Sequence, residues 1–320
     1  MTGRATENPT AWPPTADTGI DASGASPGPV LIDSLDDPRL SPYRHLKRTN
    51  NTRRAGLFVV EGEKLVARLL ASRYRVHSLL LGERYAQRSS LALPGHAPTY
   101  LLEDRLIEEL IGFNFHRGAL ACAHRAELGG RAVYESALDD AVAGLSNGRR
   151  DRPIVVVVCP DVHDPENLGS ILRSSAGLGA AAVVAGAHSA DPLSRRVLRV
   201  SMGASLELPV WRTANVDGAL AELAHRWQCV RLAAELDPSA EPLASVEQLP
   251  RAALVLGSEG PGLDPRLLAL CDRQVGIPMQ AGTDSLNVAV AAGILLYHFC
   301  GRAANNLVAD AKRNVSRIDR

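Results

Sequence analysis

Three stretches of this chain combine polar residues and glycines in patterns that could do chemistry. "PDVHDPENLGSILRSSAGLG" (Pro160–Gly179) carries Asn167 and, six residues on, Arg173. "LVLGSEGPGLDP" (Leu254–Pro265) sets Gly257, Gly260 and Gly262 around Glu259. "IPMQAGTDSLNVAVAAGILLYHF" (Ile277–Phe299) places Thr283, Asp284, Ser285 and Asn287 at the mouth of a strongly apolar helix. Glycines let backbone N–H and C=O groups come close to a ligand. A tight strand-to-helix turn is the plainer account, but it explains one glycine rather than three. Ser285 stands where a helix N-cap belongs. Asn287 falls inside the first turn, where asparagine is a poor helix former, so a contact beyond the helix end explains it better. Neither the dinucleotide fingerprint G-x-G-x-x-G nor the triphosphate loop G-x-x-x-x-G-K-[ST] follows any of the strands here, which argues against a nicotinamide-dependent dehydrogenase and a nucleotide-triphosphate site. The ligands of "DVHDPE" (Asp161–Glu166) crowd into one turn, so no metal is expected there, and His163 is structural or faces substrate.

The elements that must position these stretches are legible. "PIVVVVCPDV" is a continuous β-branched run, the mark of a strand buried on both faces under helices. Strand and helix signals then alternate: a helix from Asn167, strand "AAAVVAG", a helix near Pro192–Met202, strand "SLELPVW" and a helix near Val216–Trp227. Strands "CVRLAAE" and "AALVLGS", a helix near Asp264–Cys271, strand "QVGIPM" and the last helix complete the series. The alternation predicts a doubly wound α/β domain with a parallel sheet. Ligands in such sheets bind beyond the carboxyl ends of the strands, where all three stretches lie.

Upstream, residues 1–30 are rich in Pro, Ala, Thr, Gly and Ser without periodicity and read as a disordered leader. Residues 31–126 read as a small α/β domain built from "LFVVEG", "EKLVARLLAS", "VHSLLLGE", "PTYLL", "EDRLIEELIG" and "GALACAH". Arg44, Lys47, Arg48, Arg53 and Arg54, with His45 and no acid among them, form a basic cluster at its start. Residues 127–152 read as a linker region with a helix-like middle, 153–303 as the second domain and 304–320 as a basic tail.

The totals bound the rest. The chain has 320 residues, 46% of them apolar, enough for two domains with a substantial core. Lys+Arg and Asp+Glu are both 35, so the zero net charge favours no class of partner and only local clusters speak. The five cysteines include no C-x-x-C pair, and their odd number suits no closed disulfide set. Cys159 and Cys300 read as buried thiols of a reducing compartment. The first thirty residues lack a continuous apolar core. Leu286–Phe299 falls short of the roughly 20 residues a membrane span needs. A cytoplasmic protein is expected.

Taken together, "NLGSILRSSAGLGA" (Asn167–Ala180), "RVSMGASLELPV" (Arg199–Val210), "LVLGSEGPGL" (Leu254–Leu263) and "IPMQAGTDSLNVAVAAGILLY" (Ile277–Tyr297) resemble the SpoU (TrmH-like) family of RNA ribose 2′-O-methyltransferases, of the SPOUT superfamily. The likeness runs from about Ile154 to Cys300. "FVVEGEKLV" (Phe58–Val66) resembles the L30e-like RNA-binding domain often fused to that family. The resemblance implies a trefoil-knotted fold, S-adenosylmethionine held bent among the knotted loops, and a homodimer across the last helix. A helix so apolar also exceeds what one-sided burial needs.

By the same resemblance, Asn167, Arg173, Glu259, Ser285 and Asn287 form the catalytic set. Asn167 matches the motif asparagine, with a helix N-cap as its plainer role. Arg173 lies nearest the attacked 2′-hydroxyl. A guanidinium stays protonated in proteins, so phosphate clamping and stabilisation of a developing oxyanion suit it better than general-base work. Glu259 would hold Arg173 or substrate, and Ser285 and Asn287 would orient both. Leu256, Gly257, Gly260, Ile277, Met279, Ser285 and Leu286 match positions around the cofactor. Adenine needs only backbone hydrogen bonds and an apolar slot, which suits this composition. Arg44, Lys47, Arg48, Arg53 and Arg54 would contact RNA phosphates, a solvated basic strip being the plainer reading. The expected activity is methyl transfer from S-adenosylmethionine to a ribose 2′-hydroxyl of rRNA or tRNA, without a metal. A methyltransferase acting on an RNA base nitrogen and a non-catalytic RNA-binding protein are the rivals.

Overall fold

A computed structural model describes residues 28–46, 51–89, 91, 93–115, 118–125, 130–147, 152–237, 239–258, 262–280 and 285–301. The chain divides into two units, residues 1–126 and 127–320. The expected disordered leader, all but its last three residues, and the basic tail lie outside the described residues.

The first unit contains β1 (Val30–Leu31), α1 (Asn51–Arg54), β2 (Leu57–Glu61), α2 (Glu63–Leu70), β3 (Val76–Gly82), α3 (Glu83–Ala86), β4 (Thr99–Leu102), α4 (Asp104–Ile111) and β5 (Ala119–His124). Its mixed sheet has the order β1-β4-β3-β5-β2. β1, β4 and β3 run parallel, and β5 is antiparallel to both β3 and β2. The helices close over it as their apolar stripes dictate. Leu65, Val66 and Leu69 of α2 and Ile107, Leu110 and Ile111 of α4 are buried. Gly112, left-handed at φ +81, ends α4 where the sequence predicts a stop.

The second unit contains α5 (Gly130–Ser146), β6 (Ile154–Cys159), α6 (Pro165–Leu178), β7 (Ala182–Gly186), α7 (Arg195–Val200), α8 (Ala204–Glu207), β8 (Val210–Thr213) and α9 (Val216–His225). β9 (Val230–Ala234), β10 (Glu241–Pro242), β11 (Arg251–Leu256), α10 (Pro265–Ala269), β12 (Arg273–Gly276) and α11 (Val288–Leu296) follow. Its seven strands are all parallel, in the order β10-β12-β9-β11-β6-β7-β8. β6 shows why the valine run is a strand: every residue is buried, and successive side chains feed two cores. Val155, Val157 and Cys159 join the core under α6 and α11. Ile154, Val156 and Val158 join the core under α5 and α9.

Two readings need correction. Residues 127–152, read as a linker with a helix-like middle, do hold a helix, but one of 17 residues that belongs to the second unit rather than to a linker. Tyr134, Leu138 and Ala141 bury one face of it, and the Tyr134 ring lies 5.2 Å from that of Trp211 and 5.5 Å from that of Trp227. These three lie one turn apart on one stripe, but the aromatic partners that bury it are supplied from far along the chain. "SLELPVW", read as one strand, is the short helix α8 followed by β8. Leu208 turns extended beside Pro209, and Pro209 supplies only its carbonyl to the ladder, to Val183 N at 2.9 Å.

Candidate active site

The carboxyl ends of β9, β11 and β12 and the start of α11 enclose a cavity of about 260 Å³. Leu256 and Gly257 border it from the end of β11, and Ile277 and Met279 from beyond β12. Ser285 and Leu286 complete the wall ahead of α11. These are six of the seven residues expected around a cofactor. The seventh, Gly260, lies outside the described residues, as does Glu259.

The glycine at 257 is dictated by the loop itself. Ser258 N donates to Gly262 O at 3.2 Å, folding the loop back on its start. A Cβ on Gly257 would lie 2.7 Å from the Gly262 carbonyl carbon and 2.8 Å from Leu263 N. Gly262 closes the turn at φ +74. The tight-turn account therefore covers both glycines, and their backbones still face the cavity.

The entrance to α11 differs from expectation at one residue. The N-cap is Asn287, not Ser285: Asn287 Oδ1 accepts from Ala289 N at 2.9 Å and from Val290 N at 3.3 Å. Its Nδ2 donates to Asn167 Oδ1 at 2.9 Å, across 120 residues of sequence. One side chain thus caps the helix and makes the contact beyond the helix end that the sequence demanded. Asn167 is likewise no cap. Asp164 caps α6, accepting from Glu166 N at 2.7 Å, and Asn167 lies buried at 8% exposure inside the first turn. The amide bridge ties the cavity wall at Asn287 to α6.

Arg173 is on α6 but not in the cavity wall. Six residues put it about 9 Å along the helix from Asn167 and about 120° around it. It is exposed and has no hydrogen bond or ion pair among the described residues. In one chain, then, the structure joins Asn167 to Asn287 and leaves Arg173 apart.

The basic cluster of the first unit divides. Arg44 is half-buried and donates to the carbonyls of Leu35 and, at 3.2 Å, Asp37, so it braces its own loop. Lys47 and Arg48 lie outside the described residues. Arg53 and Arg54 are exposed on α1.

Three further facts narrow the chemistry. Burial pushes the Cys159 and Cys300 thiols up to about 12, so neither is a thiolate nucleophile near neutral pH. His163 Nε2 lies 2.7 Å from Asp161 Oδ1, an exposed local pair. No helix among the described residues is long and apolar enough to cross a membrane. Sequence reasoning missed Glu235, which follows β9 and lines the cavity. It reads there as the polar end of "CVRLAAE". Its place at the carboxyl end of a strand neighbouring β11 was the available signal.

With this geometry in view, comparison with known proteins identifies the chain. Residues 154–297, from β6 to the end of the apolar helix, match the SpoU rRNA Methylase family. The chain is 38% identical over 270 residues to an uncharacterised tRNA/rRNA methyltransferase of Mycobacterium bovis, covering 82% of this chain and 88% of that one. It is 28% identical to the 23S rRNA (guanosine(2553)-2'-O)-methyltransferase RlmP of Bacillus subtilis, over 84% of this chain and 99% of that one. A putative RNA methyltransferase of the TrmH family from Porphyromonas gingivalis superposes with a TM-score of 0.67 at 25% identity, covering 84% of this chain and all of that one. An AdoMet-bound rRNA methyltransferase from Sinorhizobium meliloti has the same fold, with a TM-score of 0.68 at 22% identity over 87% of this chain and 98% of that one. With the match across β6 to α11 and the relatives covering most of its length, the chain is a methyltransferase of the SpoU rRNA methylase family.

Proposed function

We propose that this methyltransferase transfers a methyl group from S-adenosylmethionine to a ribose 2′-hydroxyl of rRNA or tRNA. The observation that carries the reading is the Asn287–Asn167 bridge, which couples the cavity to the helix bearing Arg173. The cavity suits the cofactor. Ile277, Leu286 and Leu295 give an apolar slot, and the turn at Gly257 and Gly262 presents backbone polar groups to it. When bound, S-adenosylmethionine supplies an electrophilic methyl group.

The chain's own residues then work by position. Asn287, with both amide atoms engaged, fixes the start of α11 against α6. Arg173, unengaged by any carboxylate among the described residues, is a permanent cation for the phosphate beside the reacting ribose and for the oxygen as charge develops on it. Ser285 lines the cavity one residue from Leu286 and serves to orient substrate. Glu259 holds Arg173 or substrate in the same reading. Arg53 and Arg54 give the first unit, read as L30e-like, its electrostatic contact with RNA.

The same reading includes a homodimer. On α11 and the turn that continues it, Val290, Ile294 and Tyr297 are 51%, 38% and 55% exposed and lie at i, i+4 and i+7, one apolar stripe. A second copy of the chain is the proposed cover. Two features support the expected trefoil thread: β12 lies outside β9, and α11 packs back on α6. The RNA substrate makes the cytoplasm the place of work.

The test is transfer of isotope-labelled methyl from S-adenosylmethionine to total rRNA and tRNA, followed by digestion to nucleosides. Label in 2′-O-methyl nucleosides supports the reading. Label in a methylated base transfers the chemistry to a ring nitrogen, and no label with a folded enzyme removes the catalytic reading.

A further inference from the structure

Glu235 is the one ionisable side chain among the described residues that line the cavity. Its backbone is fixed, because its N–H extends the ladder of β9 to Val275 O at 3.0 Å. Its Oε1 is buried and has no hydrogen-bond partner among the described residues. Both carboxylate oxygens face the turn at Gly262, 3.8 and 3.9 Å from where a Cβ there would stand. Among the described residues, no Lys, Arg or His lines the same cavity. A buried acceptor without a donor costs free energy that folding does not recover. A ligand that brings donors recovers it.

We propose that Glu235 accepts the vicinal 2′- and 3′-hydroxyls of the ribose belonging to the methyl donor itself, and so sets the cavity's preference for a ribonucleoside cofactor. This rests on the methyl-transfer reading above. S-adenosylmethionine offers three groups of donors: the ammonium of its amino-acid part, the adenine amine and the ribose diol. The ammonium and the ribose hang from the same sulfur, so position does not separate them, and the loss of affinity on deoxygenation does. Valence separates the diol from the adenine amine. Two adjacent carboxylate oxygens match two adjacent O–H donors, whereas the two N–H bonds of an aromatic amine diverge and only one can reach.

Calorimetric titration with S-adenosylhomocysteine, its 2′-deoxy and 3′-deoxy counterparts and S-inosylhomocysteine tests this on the full chain, with Glu235→Gln and Glu235→Ala. Wild-type protein should bind each deoxy ligand roughly 10- to 100-fold more weakly than the parent, the size expected for hydrogen bonds to a charged group. Glu235→Gln and Glu235→Ala should bind the parent more weakly by a similar factor and lose little more on deoxygenation, because the same contact is already gone. The inosine ligand should suffer equally in wild type and variants. Without ligand, Glu235→Gln should unfold no more easily than wild type, since it removes an unpartnered carboxylate. The proposal is overturned by full wild-type affinity for the deoxy ligands, or by independent, multiplying losses from mutation and deoxygenation. An inosine penalty that vanishes in the variants would reassign Glu235 to adenine, and a lower unfolding midpoint would make it structural. If folded wild type binds no S-adenosylhomocysteine at all, the methyl-transfer reading itself falls. Binding of the parent with a failed deoxy comparison removes only the role of Glu235.

Discussion

Replacing Asn287 by alanine should remove two structural functions at once, and a second substitution can separate them. Asn287 Oδ1 caps α11 through Ala289 N and Val290 N. Loss of such a cap costs about 1 kcal/mol. Asn287 Nδ2 also satisfies Asn167 Oδ1, which is buried and cannot turn to water at no cost. Losing the donor to a buried acceptor costs about 1–2 kcal/mol. Asn287→Ala should therefore lower the stability of the second unit by about 2–3 kcal/mol. Asn287→Ser keeps a capping oxygen and lacks the reach to Asn167, so it should lose only the second part, about 1–2 kcal/mol. Urea unfolding followed by tryptophan fluorescence reads this unit selectively, because Trp211 and Trp227 both lie in its core. Both measurements belong in a Trp12→Phe background, to silence the third tryptophan. An alanine variant within about 0.5 kcal/mol of the parent, the scatter of surface substitutions, would refute the double role. Equal losses in the serine and alanine variants would refute the cap.

Other consequences follow from the same geometry. Arg173→Ala should slow single-turnover methyl transfer roughly 10²–10³-fold, as loss of one oxyanion donor does, with cofactor affinity nearly unchanged because Arg173 is not in the cavity wall. A wild-type rate at saturating RNA would contradict that placement. Ile294→Glu with Tyr297→Glu should convert a dimer to a monomer in ultracentrifugation at micromolar concentration, and a persisting dimer would move the interface elsewhere. Arg231 grips the Asp272 carboxylate at 2.7 and 3.0 Å, and its side-chain hydrogen bonds hold that carboxyl below its ordinary range. A depressed folded-state value stabilises above the unfolded-state value of about 4 and is lost as pH falls through the folded value. Asp272→Asn should therefore cost about 1 kcal/mol near neutrality, the pair being partly exposed. The cost should shrink below about pH 4, and a pH-independent cost would show that the charge is not what matters.

The sequence made some of this legible and hid the rest for physical reasons. β6 was readable because valine runs have few other uses, and the loop at its carboxyl end could be located from alternation alone. The capping residue was misread by two positions because Ser285 and Asn287 are both good caps, and only the reach to Asn167 across 120 residues selects the second. The helix-like middle of residues 127–152 was legible as α5, but its place in the second unit was hidden because its partners Trp211 and Trp227 are supplied from far along the chain. Glu235 was hidden because a glutamate at a strand end looks solvated, and its missing partner is a fact of three dimensions. Arg173 was legible as a residue, but its separation from the cavity follows from the helical offset to Asn167, which the spacing already contained.

The central claim is that methyl goes to a ribose oxygen, and alkali tests it most directly. Alkaline cleavage of RNA needs a free 2′-hydroxyl, so a 2′-O-methylated linkage survives. RNA labelled by this enzyme from methyl-labelled S-adenosylmethionine should release its label in alkali-resistant dinucleotides. Label released entirely in mononucleotides would place the methyl on a base and contradict the account.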